Sequence, residues 1–156
     1  MHFITDSILV GNLEDAKKPP VSIHGILFVA GEHEIQPPTG MAYARIPLKE
    51  FGEADPLAVM EAVDWLERHA ASRRLMVCCR AGMGRSVSMV IAYLCCVKGM
   101  SYEEAVNLAK TRRPGTTPLP ALEQTIETVM QMRLARENQI PGRQTDPQGG
   151  AKRSPR

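Results

Sequence analysis

The sequence predicts an α/β fold in which a single central sheet is flanked by helices. Short apolar runs crowd the N-terminal third of the chain. Helical periodicity dominates after Asp55, and one further apolar run, residues 75–78, is set between two such segments. Strands interleaved with helices in this way predict one sheet with helices packed on it.

The elements follow in order. Ile8-Leu9-Val10 before Gly11 predicts a short strand ending in a turn. Residues 24–30 (HGILFVA) predict a buried strand closed by Gly31, and residues 41–47 (MAYARIP) alternate enough for a third. Pro37-Pro38 excludes helix from the loop between them. Asp55-Pro56 predicts a helix start, with Asp as cap and Pro in the first turn. Val59, Val63, Leu66 and Ala70 then recur at helical spacing. Residues 75–78 form a short strand, and a glycine-containing loop runs from Cys79 to Arg85. Residues 86–97 are apolar on almost every side, which predicts a central helix ended by Gly99. Ser101-Tyr102-Glu103-Glu104 is a capping box for the next helix, which Arg112-Arg113-Pro114-Gly115 breaks. A last helix is expected to carry Leu119, Leu122, Ile126, Val129 and Met130 on one face.

Length and charge bound the function. A chain of 156 residues suits one domain, and a net charge of +2 suits neither a nucleic-acid binder nor a protein with a polyacidic ligand. Residues 138–156 hold four of the 19 Lys and Arg but one of the 17 Asp and Glu, so residues 1–137 carry −1. The same stretch has Pro141, Pro147, Pro155 and Gly149-Gly150, with Ile140 as its one large apolar residue. Such a segment buries too little surface to offset its ordering entropy. The expected organisation is a catalytic domain over 1–137 and a disordered basic tail over 138–156; a basic arm for membrane lipids or an acidic partner is the functional alternative.

No run approaches the ~18 apolar residues of a membrane span, and the N-terminus lacks signal-peptide features. The four cysteines form two adjacent pairs, Cys78-Cys79 and Cys95-Cys96, poor for disulfides and without zinc-site spacing. His24, His33 and His69 also lack metal-ligand spacing. The expectation is a reduced, cytoplasmic monomer with no metal and no cofactor, using at least one thiol for chemistry.

The chemistry concentrates in Val77-Cys78-Cys79-Arg80-Ala81-Gly82-Met83-Gly84-Arg85-Ser86. A loop between an apolar strand and an apolar helix aims backbone N–H groups at one point, and the helix start adds partial positive charge. Arg80, Ala81, Gly82, Met83, Gly84 and Arg85 are therefore the expected phosphate-binding residues. Gly82 and Gly84 are expected to allow close approach and unusual dihedrals. Arg85 supplies a planar fork for two phosphate oxygens. Cys79 faces the same anion site, a setting that brings thiols from about 8.5 to roughly 3.5–7.5. The implied reaction is attack by the Cys79 thiolate on phosphorus, a phosphocysteine intermediate and its hydrolysis, with the Ser86 hydroxyl donating to the departing sulfur.

This loop resembles the C-x-x-G-x-x-R-[ST] signature of cysteine-based protein tyrosine and dual-specificity phosphatases. The resemblance extends to Ile8-Leu9-Val10-Gly11, Ile91-Ala92-Tyr93-Leu94, Tyr102-Glu103-Glu104-Ala105 and Arg113-Pro114, roughly residues 3–133. It implies the small dual-specificity fold and a phosphomonoesterase acting on phosphotyrosine, with phosphoserine and phosphothreonine admitted by a shallow pocket. A phosphorylated protein is the expected partner. A phospholipid is the alternative, against which the loop's single extra cation, Arg80, weighs. A pseudophosphatase that binds phosphorylated partners is the second class of reading. Rhodanese-like sulfur transfer leaves Gly82, Arg85 and Ser86 unexplained.

Two positions depart from the family pattern. Cys78 stands where the family has His, and it reads as a small buried residue, with a redox partner as the alternative. The family's general acid is an Asp on a loop after an Ile-Pro strand end; here Ile46-Pro47 leads to Glu50, 29 residues before Cys79. A Glu performs the same proton transfer. Asp55 is the alternative acid, although it suits a helix cap, and a site with no dedicated acid is the third possibility. Arg112 and Arg113 read as helix-end charges, with an approach to the pocket as the alternative.

Overall fold

The computed structural model describes residues 1–139 and two short strands beyond them. Its main sheet has five strands: β1 (His2–Phe3), β2 (Ile8–Gly11), β3 (Gly25–Ala30), β4 (Ala42–Leu48) and β5 (Leu75–Cys78). The helices are α1 (Leu13–Lys17), α2 (Pro56–Ala70), α3 (Arg85–Cys96), α4 (Tyr102–Arg112) and α5 (Leu122–Asn138). β6 (Arg143–Thr145) and β7 (Ala151–Arg153) pair antiparallel with each other. Within the expected disordered tail of residues 138–156, Asn138 closes α5, Gln139 caps it and two segments form β6 and β7; the remaining tail residues lie outside the described residues.

Strand order β1-β2-β5-β3-β4 puts β5 at the centre of the sheet. β5 pairs parallel with β2 on one side and β3 on the other, and β1 adds to the edge antiparallel. The register aligns Gly11 and Cys78, the last residues of β2 and β5, with Phe28 of β3, near the sheet's carboxyl edge. In open α/β sheets that edge is where ligands bind, and the loop after β5 starts there. Every residue of β2, β3 and β5 is buried, as parallel strands covered on both faces require.

α3 leaves β5 through the loop and packs against β2, β3 and β5. Its residues from Arg85 to Cys95 are all buried, which explains why its sequence is apolar almost all round. α2 and α5 pack on it and on each other, and α4 packs on α3. α4 opens with the predicted box: Ser101 Oγ accepts from the Glu104 N–H, and the Glu104 carboxylate accepts from the Ser101 N–H.

Several boundaries differ from the sequence expectation. β3 starts at Gly25, and β4 runs on through Pro47 to Leu48. β4 is an edge strand, where a residue lacking an N–H costs no ladder bond. Asp55 sits at the α2 N-cap, yet its side chain makes no capping hydrogen bond. Leu119 is buried but precedes α5, because Pro120 biases the residue before it away from helix. Met130 is 43% exposed, since one residue past Val129 turns it about 100° around the helix. The short elements β1, α1, β6 and β7 have no counterpart in the sequence expectation.

Candidate active site

The loop from Cys79 to Arg85 is shaped by what its carbonyls bond to. The Arg80 carbonyl accepts from the Leu13 N–H at 3.0 Å, that of Met83 from the Thr117 N–H at 2.8 Å, and that of Gly84 from the Ser88 N–H at 2.9 Å. The Gly82 carbonyl accepts from Arg113 Nε at 2.5 Å. In a trans peptide the N–H points opposite the carbonyl of the preceding residue. Four outward carbonyls therefore turn the N–H groups of Ala81, Met83, Gly84 and Arg85 the other way, toward a common centre. The Gly82 N–H bonds to Cys79 Sγ at 3.2 Å. The result is a backbone nest suited to an oxyanion.

Glycine is required at position 82. Its φ is +72°, and a Cβ there would lie 2.6 Å from the Gly11 carbonyl oxygen and 2.7 Å from Arg113 Nη2. Gly84 differs from expectation: its φ is −116°, open to any residue, and it serves as the α3 N-cap without a side-chain bond.

Cys79 follows the last residue of β5 and is 2% exposed. Its Sγ lies 3.2 Å from Ser86 Oγ, in the first turn of α3. Sulfur, loop amides and helix N-terminus thus meet at the sheet's carboxyl edge, which favours negative charge there.

Arg85 is 3% exposed and held by a partner absent from the sequence expectation. Its Nη1 and Nη2 donate to the two Glu32 carboxylate oxygens at 2.6 Å each, and Nη1 also donates to the Leu48 carbonyl at 3.1 Å. Of the five N–H groups of a guanidinium, this leaves Nε–H and one Nη2–H, side by side along one edge. That edge is a ready fork for two oxygens of a tetrahedral anion. The Arg85 hydrogen bonds, outweighing the cost of partial burial, bring the Glu32 carboxyl down to about 2. Glu32 is 53 residues from Arg85 in sequence; its one local signal is that it follows the buried run of β3, the strand beside β5.

Arg113 corrects the helix-end reading. It caps α4 but is 3% exposed, with its guanidinium turned inward. Besides Gly82, it donates from Nη1 to His2 Nδ1 at 2.8 Å, and Val10 O lies 3.5 Å away. The unexpected strand β1 is therefore part of the scaffold behind the loop. Arg112, its neighbour, stays exposed.

A cavity of about 300 Å³ opens above the loop, lined by Cys79 and Arg85 together with Glu50, Phe51, Met83 and Leu119, among others. The structure brings Glu50 to this cavity and leaves Asp55 off it, at the start of α2. Arg80 reaches across to Glu50, Nη2 to Oε1 at 3.0 Å. Cys78 is fully buried and faces no solvent, and burial, ahead of nearby Asp15, pushes its thiol far up. Among the described residues no three His, Cys, Asp or Glu side chains are grouped to hold a metal, and no helix is long and apolar enough to cross a membrane.

Comparison with known proteins agrees with this arrangement. The family model "Dual specificity phosphatase, catalytic domain" matches residues 8–132. Dual specificity protein phosphatase 15 of Rattus norvegicus is 28% identical over 130 residues, 80% of this chain and 55% of the relative. The chain thus spans about half of that relative, and 15% of a leucine-rich-repeat MAP kinase phosphatase of Dictyostelium discoideum. Among solved structures, DUSP15 superposes with a TM-score of 0.74 at 21% identity, covering 88% of this chain and 95% of that one. PTPMT1 in complex with PI(5)P gives 0.72 at 20% identity, covering 87% and 97%. By its sequence match over residues 8–132, its strand order and its loop, the chain belongs to the dual specificity phosphatase catalytic-domain family.

Proposed function

We propose that the chain hydrolyses phosphomonoesters, phosphotyrosine first and phosphoserine or phosphothreonine as well, through a phosphocysteine on Cys79. The observation that carries this reading is the Cys79 sulfur, held 3.2 Å from both the Gly82 N–H and Ser86 Oγ beside inward-turned amides. A structural cysteine needs no such surroundings. A thiolate does, and so does the phosphoryl group it accepts.

The substrate phosphate lies in the nest, its oxygens bonded by the loop amides and the free edge of Arg85. The Cys79 thiolate attacks phosphorus; the S–P bond forms as the P–O bond to the leaving group breaks. Glu50, at the cavity wall, gives its proton to the leaving oxygen, which departs as an alcohol or phenol. Water then attacks phosphorus as the Glu50 carboxylate takes its proton. The S–P bond breaks, inorganic phosphate leaves, and the Ser86 hydroxyl donates to the restored thiolate. Preorganised amides and one guanidinium stabilise charge on the transferring group, and the scheme calls for no metal.

The solved neighbour PTPMT1 holds PI(5)P. In this chain the loop's cation beyond Arg85 is Arg80, already paired with Glu50. That supports monophosphates over a multiply charged headgroup. Catalysis sets this reading apart from a pseudophosphatase. The test is hydrolysis of 4-nitrophenyl phosphate in the presence of a chelator, with and without vanadate, by wild type, Cys79→Ser and Arg85→Ala. Metal-independent, vanadate-sensitive turnover that both variants lose is expected. No turnover by wild type, with tight binding of a phosphopeptide, would favour the pseudophosphatase.

A further inference from the structure

The amino edge of the sheet, opposite the edge that carries Cys79, holds a groove. Ser7 leads into β2, His24 into β3, Met41 into β4 and Arg74 into β5. These lead-ins line two cavities, of about 490 and 450 Å³, which share His24, Ser72 and Arg73 and so adjoin. β5, four residues long, sets the groove roughly 13 Å from the loop that holds Cys79. Its walls are fixed by backbone bonds. The His24 N–H donates to the Arg74 carbonyl at 2.9 Å, the Leu75 N–H to the Ser7 carbonyl at 2.8 Å, and the Ala42 N–H to the His24 carbonyl at 3.1 Å. A groove held in this way needs little ordering when a partner arrives.

The charge of the groove is unbalanced. Arg73 and Arg74 line it against one carboxylate, Asp6. Among the described residues, Arg68 and Arg73 have neither an ion pair nor a side-chain hydrogen bond. Arg80, Arg85, Arg133 and Arg136, by contrast, each meet a carboxylate. Arg74 lies with its guanidinium carbon 5.8 Å from the centre of the Phe3 ring, a contact that leaves its charge in place. Burial, then Arg73 and Arg68, hold the His69 imidazole below its usual range, which registers the positive field here. Arg68 and His69 suit the carbonyl end of α2, but Arg73 lies past the C-cap Ala71, where the helix no longer accounts for it.

We infer that this groove docks an acidic peptide segment of a partner protein, its carboxylates meeting Arg73 and Arg74. Guanidinium forks match carboxylates at two points. Ser7, Ser22 and Ser72 add hydroxyl donors. Apolar side chains of such a segment are met as well: Val21, beside Ser22, is 99% exposed, and Pro38 and Met41 line the second cavity. A polyphosphate backbone calls for a longer run of cations than two arginines, and residues 1–137 carry −1 overall. The chain's own residues 138–156, with four basic residues and one acid, have the wrong sign to fill the groove. Because the groove lies outside the Cys79 cavity, docking there is independent of whether the chain turns over phosphate.

The experiment follows the fluorescence anisotropy of a fluorescein-labelled peptide, alternating Glu-Glu with Leu, as the full chain is titrated in. The peptide is expected to bind, and to bind more weakly as salt rises. Arg73→Glu is expected to lower its affinity at least about tenfold, and Arg73→Lys to keep most of it. Arg73 is exposed, so neither substitution disturbs the core. Lys110→Glu, on α4, makes the same change in net charge and is expected to leave binding unaltered, as is saturating vanadate. Turnover of 4-nitrophenyl phosphate by Arg73→Glu is expected to match wild type. Absence of binding, an equal loss in Lys110→Glu, or displacement by vanadate would overturn the docking groove. So would tighter binding of a single-stranded oligodeoxynucleotide that Arg73→Glu abolishes, which would assign the groove to nucleic acid. A dimer of the chain that Arg73→Glu dissolves would assign it to a second copy and overturn the inference equally.

Discussion

Arg113 Nε donates to the Gly82 carbonyl at 2.5 Å, and by holding that carbonyl outward it turns the Met83 N–H inward. Arg113 is a positioning residue: it acts on the anion site through the backbone, from behind the loop. Removing the guanidinium leaves a buried carbonyl unpaired and lets the peptide rotate. A hydrogen bond to a charged group contributes about 1.5–3 kcal/mol. Arg113→Ala is expected to weaken vanadate inhibition at least about tenfold, with Arg113→Lys recovering part of the loss. Unchanged vanadate affinity in a variant that remains folded would remove this role.

The chain's order of strands and helices, and its loop, are legible in the sequence because they are local. Runs such as GILFVA and LMVC bury themselves wherever they fall, and Ser101 with Glu104 announces its own helix. The pieces that brace the loop are not local. Glu32 meets Arg85 across 53 positions and His2 meets Arg113 across 111, so no spacing rule finds them. α1 is too short for periodicity to register, and β1 offers two residues. Arg113 was visible as a charge at the end of a helix; that it turns inward depends on the Gly82 carbonyl, which exists as an acceptor only once the loop is folded.

Glu32 and Arg85 share a two-point ion pair that aligns the fork. With its carboxyl lowered to about 2, Glu32 is ionised at neutral pH and stabilises the fold there. Because the folded value is depressed, that contribution is present above the ordinary 4.5 and fades as pH falls toward 2. Glu32 is partly exposed, so screening limits the effect to about 1 kcal/mol or less. Denaturant unfolding between pH 2 and 7 is expected to show Glu32→Gln less stable than wild type at pH 7, the difference closing between pH 4.5 and 2. The same variant is expected to lose about tenfold in kcat/KM as the fork loosens, a loss of about 1.4 kcal/mol. Parallel stability curves would contradict the linkage.

Glu50 and Asp55 are separated by leaving-group dependence. General acid catalysis contributes roughly a hundredfold or more where the leaving group is poor. Across aryl phosphates of rising phenol pKa, Glu50→Gln is expected to fall progressively further behind wild type, while Asp55→Asn tracks it. Equal dependence in both variants would leave Glu50 without its assigned role.

The four thiols differ in surroundings. Burial raises Cys95 and Cys96 to about 11 and Cys78 further, so these sulfurs stay protonated near neutral pH. Iodoacetate at pH 7 is expected to place one adduct, on Cys79, and inorganic phosphate to slow it. Peptide mapping that finds Cys78 or Cys96 labelled first would contradict the assignment.

The proposed covalent step is open to direct observation. Wild-type protein mixed with an aryl phosphate and quenched in acid within milliseconds is expected to carry one phosphoryl group, mapped by mass spectrometry to the sulfur of Cys79. Turnover of that substrate with no phosphoryl group on Cys79 at any quench time, or with the group on another side chain, would contradict nucleophilic catalysis by this sulfur.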